Sequence, residues 1–297
     1  MILVTALRGT ALAAACLLAL PAAARAGPPL PVVAAEDVWG SIAAQLGGSH
    51  VRVTSIVASP AADPHDYEPT AADARAIADA ALVIENGVGY DPWVARLVAA
   101  NGGGNVLDVG AVVGAKAGAN PHRWYAPADV ERVVAAITRA FERLDPRDAP
   151  SFAARRARFE RDGLARYHEL IAAIRRRYRG VPVGASESVF APLAQALGLA
   201  LVTPASFLAA VSEGAEPTAG DIAAVDRQVA DRRIEVWVVD AQNSTPDVAR
   251  ITAAARARGI PVVTITETLV PPTASFQAWQ VSQLKALESA LARAARR

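Results

Sequence analysis

The stretch Asp63-Pro64-His65-Asp66-Tyr67-Glu68-Pro69 sets one imidazole among several carboxylates. That donor mixture suits a divalent cation better than it suits a hydrophobic core. The two outer prolines exclude it from a helix interior or a central strand. It follows an alternating apolar run, residues 51–57, that reads as a strand, so the imidazole is presented on a loop at a strand end. A solvated acidic turn carrying an incidental histidine has the same composition, and the rest of the chain must decide between the two.

Three further positions answer this loop. His122 stands in Asn120-Pro121-His122-Arg123-Trp124-Tyr125, Glu187 in Ser186-Glu187-Ser188, and Glu267 in Thr266-Glu267-Thr268. Singly, each has an ordinary explanation: a loop histidine packed on Trp124, a helix-entry acid favoured by the helix dipole, a surface acid. Together they place two metal-competent side chains in each half of the chain. Asp240 ends another strand and rivals Glu267 as the fourth donor. Asp63, Asp66 and Glu68 are candidate partners that orient His65. His50 at a strand start and His168 in a helix have no second ligand at suitable sequence spacing and are read as structural.

The elements that must position these residues alternate short apolar runs with helix-length segments. Strands are expected over residues 31–35, 51–57, 81–85 and 106–109, and again over 181–184, 200–203, 234–239 and 260–265. Thr70 with Asp73 and Thr218 with Asp221 have the spacing of helix-starting capping boxes. Ser244 or Thr245 caps another helix with Pro246 in its first turn. Strands alternating with helices imply parallel sheets covered on both faces. Between the halves, residues 151–178 form one long Arg-rich helical stretch with apolar residues near helical spacing. At 1.5 Å per residue it would reach about 40 Å, the height of a domain. The resulting division is a signal peptide (1–26), an α/β lobe (27–148), a linking helix (149–179) and a second α/β lobe (180–297). In open parallel sheets ligands bind beyond the carboxyl ends of the strands, where all four candidate donors fall.

Bulk composition narrows the function classes. Residues 1–26 have a positive start at Arg8, a short apolar core and a small-x-small site at Ala24-Arg25-Ala26, as an export signal requires. The apolar run is too short to span a bilayer. Cys16 is the only cysteine, and its setting favours a cleaved, soluble, periplasmic product over a lipid anchor. Without residues 1–26 the chain has 28 basic and 29 acidic residues, a net charge of −1. That balance favours neither nucleic acid nor an anionic membrane as partner. With no cysteine left, a disulfide framework and thiolate chemistry are excluded, and any metal must be held by imidazole or oxygen.

In these four loops the chain resembles the cluster A-I, zinc- and manganese-type solute-binding proteins of bacterial ABC transporters, over essentially its whole mature length. That family's D-P-H-x-x-x-P motif matches residues 63–69 and its N-P-H-x-W matches 120–124. Its third motif, a His or Glu before an aromatic-bearing helix, matches Glu187 with Phe190; its fourth, a carboxylate after the last strand, matches Glu267 where Asp is usual. The resemblance implies two α/β lobes joined by one long helix, with His65, His122, Glu187 and Glu267 holding a single transported ion. It implies a monomeric, non-enzymatic receptor that delivers the ion to a membrane permease. Zinc-scavenging members typically carry His at the third position and a His-rich loop between the first two motifs, and this chain has neither. Two imidazoles with two carboxylates are a harder set, favouring Mn(II) or Fe(II) without excluding Zn(II). A secreted metal-dependent hydrolase is the alternative from another class, and a surface adhesin on the same scaffold a third. Neither an H-E-x-x-H nor a G-x-S-x-G motif is present to support the hydrolase.

Overall fold

A computed structural model describes residues 27–61 and 63–296. The export signal read in residues 1–26, with Cys16, lies outside them. Strands β1 (Leu30–Glu36), β2 (Val51–Val57), β3 (Leu82–Glu85) and β4 (Val106–Asp108) form one sheet in the order β2-β1-β3-β4. Strands β5 (Pro182–Ala185), β6 (Ala200–Leu201), β7 (Val236–Asp240) and β8 (Val262–Ile265) repeat that order as β6-β5-β7-β8. Every pairing is parallel. In each sheet the strand order switches sides between the first and third strands of the half, β1 and β3 or β5 and β7, which opens a crevice at their carboxyl ends.

The apolar strands are buried on both faces, as parallel sheets require. Along β1, Val32 and Ala34 enter the large core while Val33 and Ala35 enter a smaller one with Val57, Val83 and Trp93. The large core is continuous from the first lobe to the second, running from Trp39, Trp124 and Phe141 through Phe152, Tyr167 and Ile174 to Phe190, Trp237 and Trp279. The two lobes therefore share one apolar interior.

The connecting segment is helical from Ala149–Arg158 through Ala165–Tyr178, but it is not one uninterrupted α-helix. Residues Phe159–Gly163 form a π turn, closed by the Leu164 N–H donating to the Phe159 carbonyl at 2.9 Å. The cause is legible in the spacing. Phe159 and Leu164 are five residues apart, which in a regular α-helix turns the second out of phase by about 140°. The wide turn brings Leu164 back into register, and both side chains are buried with Tyr167, Ile174 and Tyr178.

Capping follows the sequence closely, with small shifts. Thr70 and Asp73 make a full capping box. At Thr218 the hydroxyl accepts the Asp221 N–H and donates to the Asp221 carboxylate. Thr245 is the residue that caps the helix beginning at Pro246. Asp108 ends β4 early because its carboxylate caps a short helix, Val109–Val113. Helix Ala205–Ser212 had no expected counterpart: no side chain caps it, so its start carries no local signal. The last helix, Phe276–Ala294, is capped by Ser275. It reaches back to the first lobe, where the Phe276 N–H donates to Ser41 Oγ at 3.0 Å and Gln277 pairs with Gln45.

Gly184 in β5 gives a direct check on the packing of the second lobe. A Cβ there would stand 2.7 Å from Trp237 Cε3. Gly184→Ala is expected to lower stability by about 1–3 kcal/mol. In urea titration the midpoint falls with little change in slope.

Candidate metal centre

Three of the four candidate donors, His65, Glu187 and Glu267, stand on loops that leave strands at their carboxyl ends, and His122 stands on the loop that follows the short helix after β4. His65 lies in a 3₁₀ turn, Pro64–Asp66, started by Asp63, whose Oδ1 accepts the His65 backbone N–H at 2.9 Å. Asp63 thus shapes the turn, whereas Asp66 and Glu68 are exposed. Glu187 follows β5 and Glu267 follows β8. His122 is held by Asn120, whose Oδ1 lies 2.9 Å from the His122 backbone N–H and 3.0 Å from ring Nδ1. An amide oxygen can only accept, so Nδ1 carries the proton and Nε2 presents its lone pair.

The structure brings these four side chains to one point. His122 Nε2 lies 3.0 Å from Glu267 Oε2, 3.5 Å from Glu187 Oε1 and 3.4 Å from His65 Nε2. His65 Nε2 lies 3.5 Å from Glu267 Oε2 and 3.9 Å from Glu187 Oε1. A tetrahedral ion with bonds of about 2.0–2.2 Å separates its donors by about 3.3–3.6 Å. The five edges measured, 3.0–3.9 Å, bracket that range, and one ligand atom from each of the four lies within 4.8 Å of the others, a spacing compatible with one shared ion. His122, Glu187 and Glu267 are sealed from solvent, while the His65 side chain is 20% exposed. His65 faces a cleft of about 580 Å³ also lined by Tyr90, Asn120, Ser188 and Ser212, the open path to the centre.

Around the donors, hydrogen bonds cross between lobes. Tyr90 donates its hydroxyl proton to Glu267 Oε2 at 2.8 Å, and its ring stands edge-on to both imidazoles. Gly87, Val88 and Gly89 just before it all adopt left-handed backbone, which folds the turn tightly enough to place that ring. Asn120 Nδ2 donates to the Ser188 carbonyl at 2.7 Å, and Ser212 Oγ donates to Glu187 Oε1 at 2.9 Å. Asn86 Nδ2 donates to the Pro121 carbonyl at 2.9 Å, anchoring the loop that carries His122. Tyr90, Asn86 and Ser212 escaped the sequence reading. Ser212 ends the unanticipated helix, and nothing local marks the other two as neighbours of a metal centre. His168, read as structural, is 3.3 Å from Glu131 and away from this centre.

Asp240 is buried at the end of β7 beside the centre but outside the four-donor group. Ser186 Oγ accepts its backbone N–H at 3.0 Å. Burial, reinforced by the negative charge of Glu267, pushes its carboxyl well above the usual range. Burial does the same to Glu187, with Glu267 and Asp240 adding to it. Glu267 goes the other way: burial would raise it, but His122 and His65 pull it well below the usual range. For His65, burial opposes the charge, yet the hydrogen bond and charge of Glu267, with Glu187 and Asp63, carry it up to about 9. His122 is pushed down by burial. The metal-free centre therefore holds a proton on His65 where the ion would sit.

Comparisons with known proteins bear on this geometry. The family model described as ZnuA, zinc-uptake complex component A, periplasmic, matches residues 32–290. A manganese-binding lipoprotein MntA from Halalkalibacterium halodurans is 29% identical over 133 residues, 43% of this chain and 44% of that protein. The match thus spans less than half of that relative's length. A crystal structure of ZnuA superposes with a TM-score of 0.70 at 23% identity, covering 90% of this chain and 99% of that one. The solute-binding protein FpvC from Pseudomonas aeruginosa, in complex with Mn²⁺, gives 0.72 at 20% identity, covering 89% and 99%. Both share the two-lobed fold.

Two measurements test the arrangement. Asn120→Ala removes the acceptor that fixes the His122 tautomer and is expected to weaken Mn(II) or Zn(II) binding about 10–100-fold in competition titration. Because His65 is protonated below about pH 9, affinity falls at least about tenfold per pH unit between pH 8 and 6, with proton release measurable in buffers of different ionisation enthalpy. The sign for stability is the reverse. In metal-free protein the raised His65 contributes stability that is complete below about pH 6.5 and lost as pH rises through about 9.

Proposed function

Because the chain belongs to the family of periplasmic zinc-uptake component A proteins, we propose that it is the solute-binding component of an ABC importer. It captures one divalent transition-metal ion with His65, His122, Glu187 and Glu267 and passes that ion to a membrane permease. The observation that carries this reading is the convergence of two imidazoles from the first lobe and two carboxylates from the second, with measured separations of 3.0–3.9 Å. The ligand set accepts Mn(II), Zn(II) or Fe(II), and its two oxygens favour the harder ions. The Mn²⁺-bound relative of the same fold supports that range.

The ion is cargo. A catalytic metal keeps an open position for water and a general base beside it. Here the two imidazoles and two carboxylates are all spent as donors, and the one further acid beside them, Asp240, is buried against them with its carboxyl pushed well above the usual range. This favours a binding protein over a metal-dependent hydrolase. Release to the permease requires only that the lobes rock enough to part the first-lobe imidazoles from the second-lobe acids. No helix among the described residues is long and apolar enough to cross a membrane.

His65→Ala and Glu187→Ala are each expected to abolish tight Mn(II) and Zn(II) binding in isothermal titration while leaving the circular dichroism spectrum unchanged. Wild-type affinity in both variants would refute this assignment of the centre.

A further inference from the structure

Burial without a counter-charge singles out Glu36, an acid the metal centre does not use. It ends β1 and is 2% exposed, yet neither carboxyl oxygen has a hydrogen-bond donor among the described residues. Just before helix Asp37–Gly47 a carboxylate ordinarily accepts a helix N–H, and here no such bond is made. The side chain meets Asp91 instead, which is also 2% exposed and lies on the segment after β3. Both oxygens of Asp91 are engaged: Oδ2 accepts the Asn86 N–H at 2.7 Å and Oδ1 the Gly87 N–H at 2.8 Å.

The other titratable groups that face this pair are Asp37 beside Glu36, Glu85 at the end of β3 and the Tyr90 hydroxyl, all of them acids. Among the described residues none of Glu36, Asp37, Glu85 and Asp91 forms an ion pair with Arg, Lys or His. Two buried carboxylates in contact, with no cation beside them, cannot both be ionised. Asp91 has two N–H donors that favour its charged form, and Glu36 has none. The proton therefore belongs on Glu36, whose hydroxyl then donates to Asp91. Burial raises both groups; the charge of Asp91 raises Glu36 further, while the Asn86 and Gly87 N–H groups draw Asp91 back.

The two bonds made by Asp91 close the turn that runs from Asn86 through the left-handed Gly87, Val88 and Gly89. Both ends of that turn reach the metal centre. Tyr90 donates to Glu267 Oε2, and Asn86, fixed by the Trp39 Nε1–H at 3.1 Å, donates to the Pro121 carbonyl next to His122. We propose that Glu36 is kept as a neutral carboxylic acid hydrogen-bonded to ionised Asp91, and that this pair positions Tyr90 and the His122 loop at the cargo centre. The positioning role rests on the cargo reading, whereas the shared proton does not.

Two comparisons on the full chain test this. Above the ordinary glutamate range the unfolded chain releases the Glu36 proton while the folded protein keeps it, so wild type unfolds with a proton release that Glu36→Gln lacks. In urea titrations of metal-free protein, the ratio of the wild-type to the Glu36→Gln unfolding constant is expected to grow about tenfold per pH unit between pH 5.5 and 7.5. Contributions from Glu187, Asp240 and His65 are common to both chains and cancel. A ratio that stays flat would overturn the neutral acid. In Zn(II) competition titrations Glu36→Gln, whose amide donates as the acid does, is expected to keep wild-type affinity, and Glu36→Leu, which has no donor, to lose about tenfold. Wild-type affinity in Glu36→Leu, or equal losses in both variants, would overturn the positioning role. Failure of the cargo reading would register differently, as no tight Zn(II) binding by wild type, with the pH comparison still deciding the shared proton.

Discussion

Burying two carboxylates against two imidazoles is the constraint around which this molecule is arranged. Glu187 and Glu267 are shut away from water, where an unpaired charge costs several kcal/mol. Two neutral imidazoles cannot compensate two carboxylates. Either protons occupy the centre, as the raised His65 and Glu187 indicate, or a divalent cation does. The metal-free centre is held together by the first solution and is competent for the second. Under the proposed function, competition between a proton and an ion for one position would make loading and release responsive to both.

Such a centre works only if its donors stay put, and the fold supplies that. Two sheets of identical strand order aim their carboxyl ends at the same cleft. The shared apolar core, the spine and the returning C-terminal helix couple the lobes over a long contact. At the front, the lobes meet through directional bonds: Tyr90 to Glu267, Asn120 to Ser188, and the Tyr125 hydroxyl to the Thr266 carbonyl at 2.7 Å. A broad apolar junction resists wide opening, so relative motion is confined to small rocking that stretches these few polar contacts. Tyr90 stands at their junction because it bonds one acid donor while walling both imidazoles.

Much of this was legible in the residues. Short apolar runs ending at polar loops gave the alternating strands, and the four candidate donors were visible because each follows such a run. The Asn-Pro-His sequence flagged His122, although the reason for its asparagine appears only in three dimensions, where one side chain fixes a tautomer and also reaches the other lobe. The interruption of the spine was written in the five-residue step from Phe159 to Leu164, which is easily passed over when a helix is read as one period. Ser212 and Tyr90 could not be found locally, since their roles depend on segments joined only by the packing of the lobes. His50 illustrates the same limit: its ion-pair partner, Asp148, lies almost a hundred residues away and shares no motif with it.

Anomalous X-ray diffraction from crystals loaded with Zn(II) addresses the central claim most directly. The expected result is a dominant peak about 2.0–2.2 Å from His65 Nε2, His122 Nε2 and one oxygen each of Glu187 and Glu267. A peak bound by only one lobe's residues, or by Asp240 in place of Glu267, would contradict it.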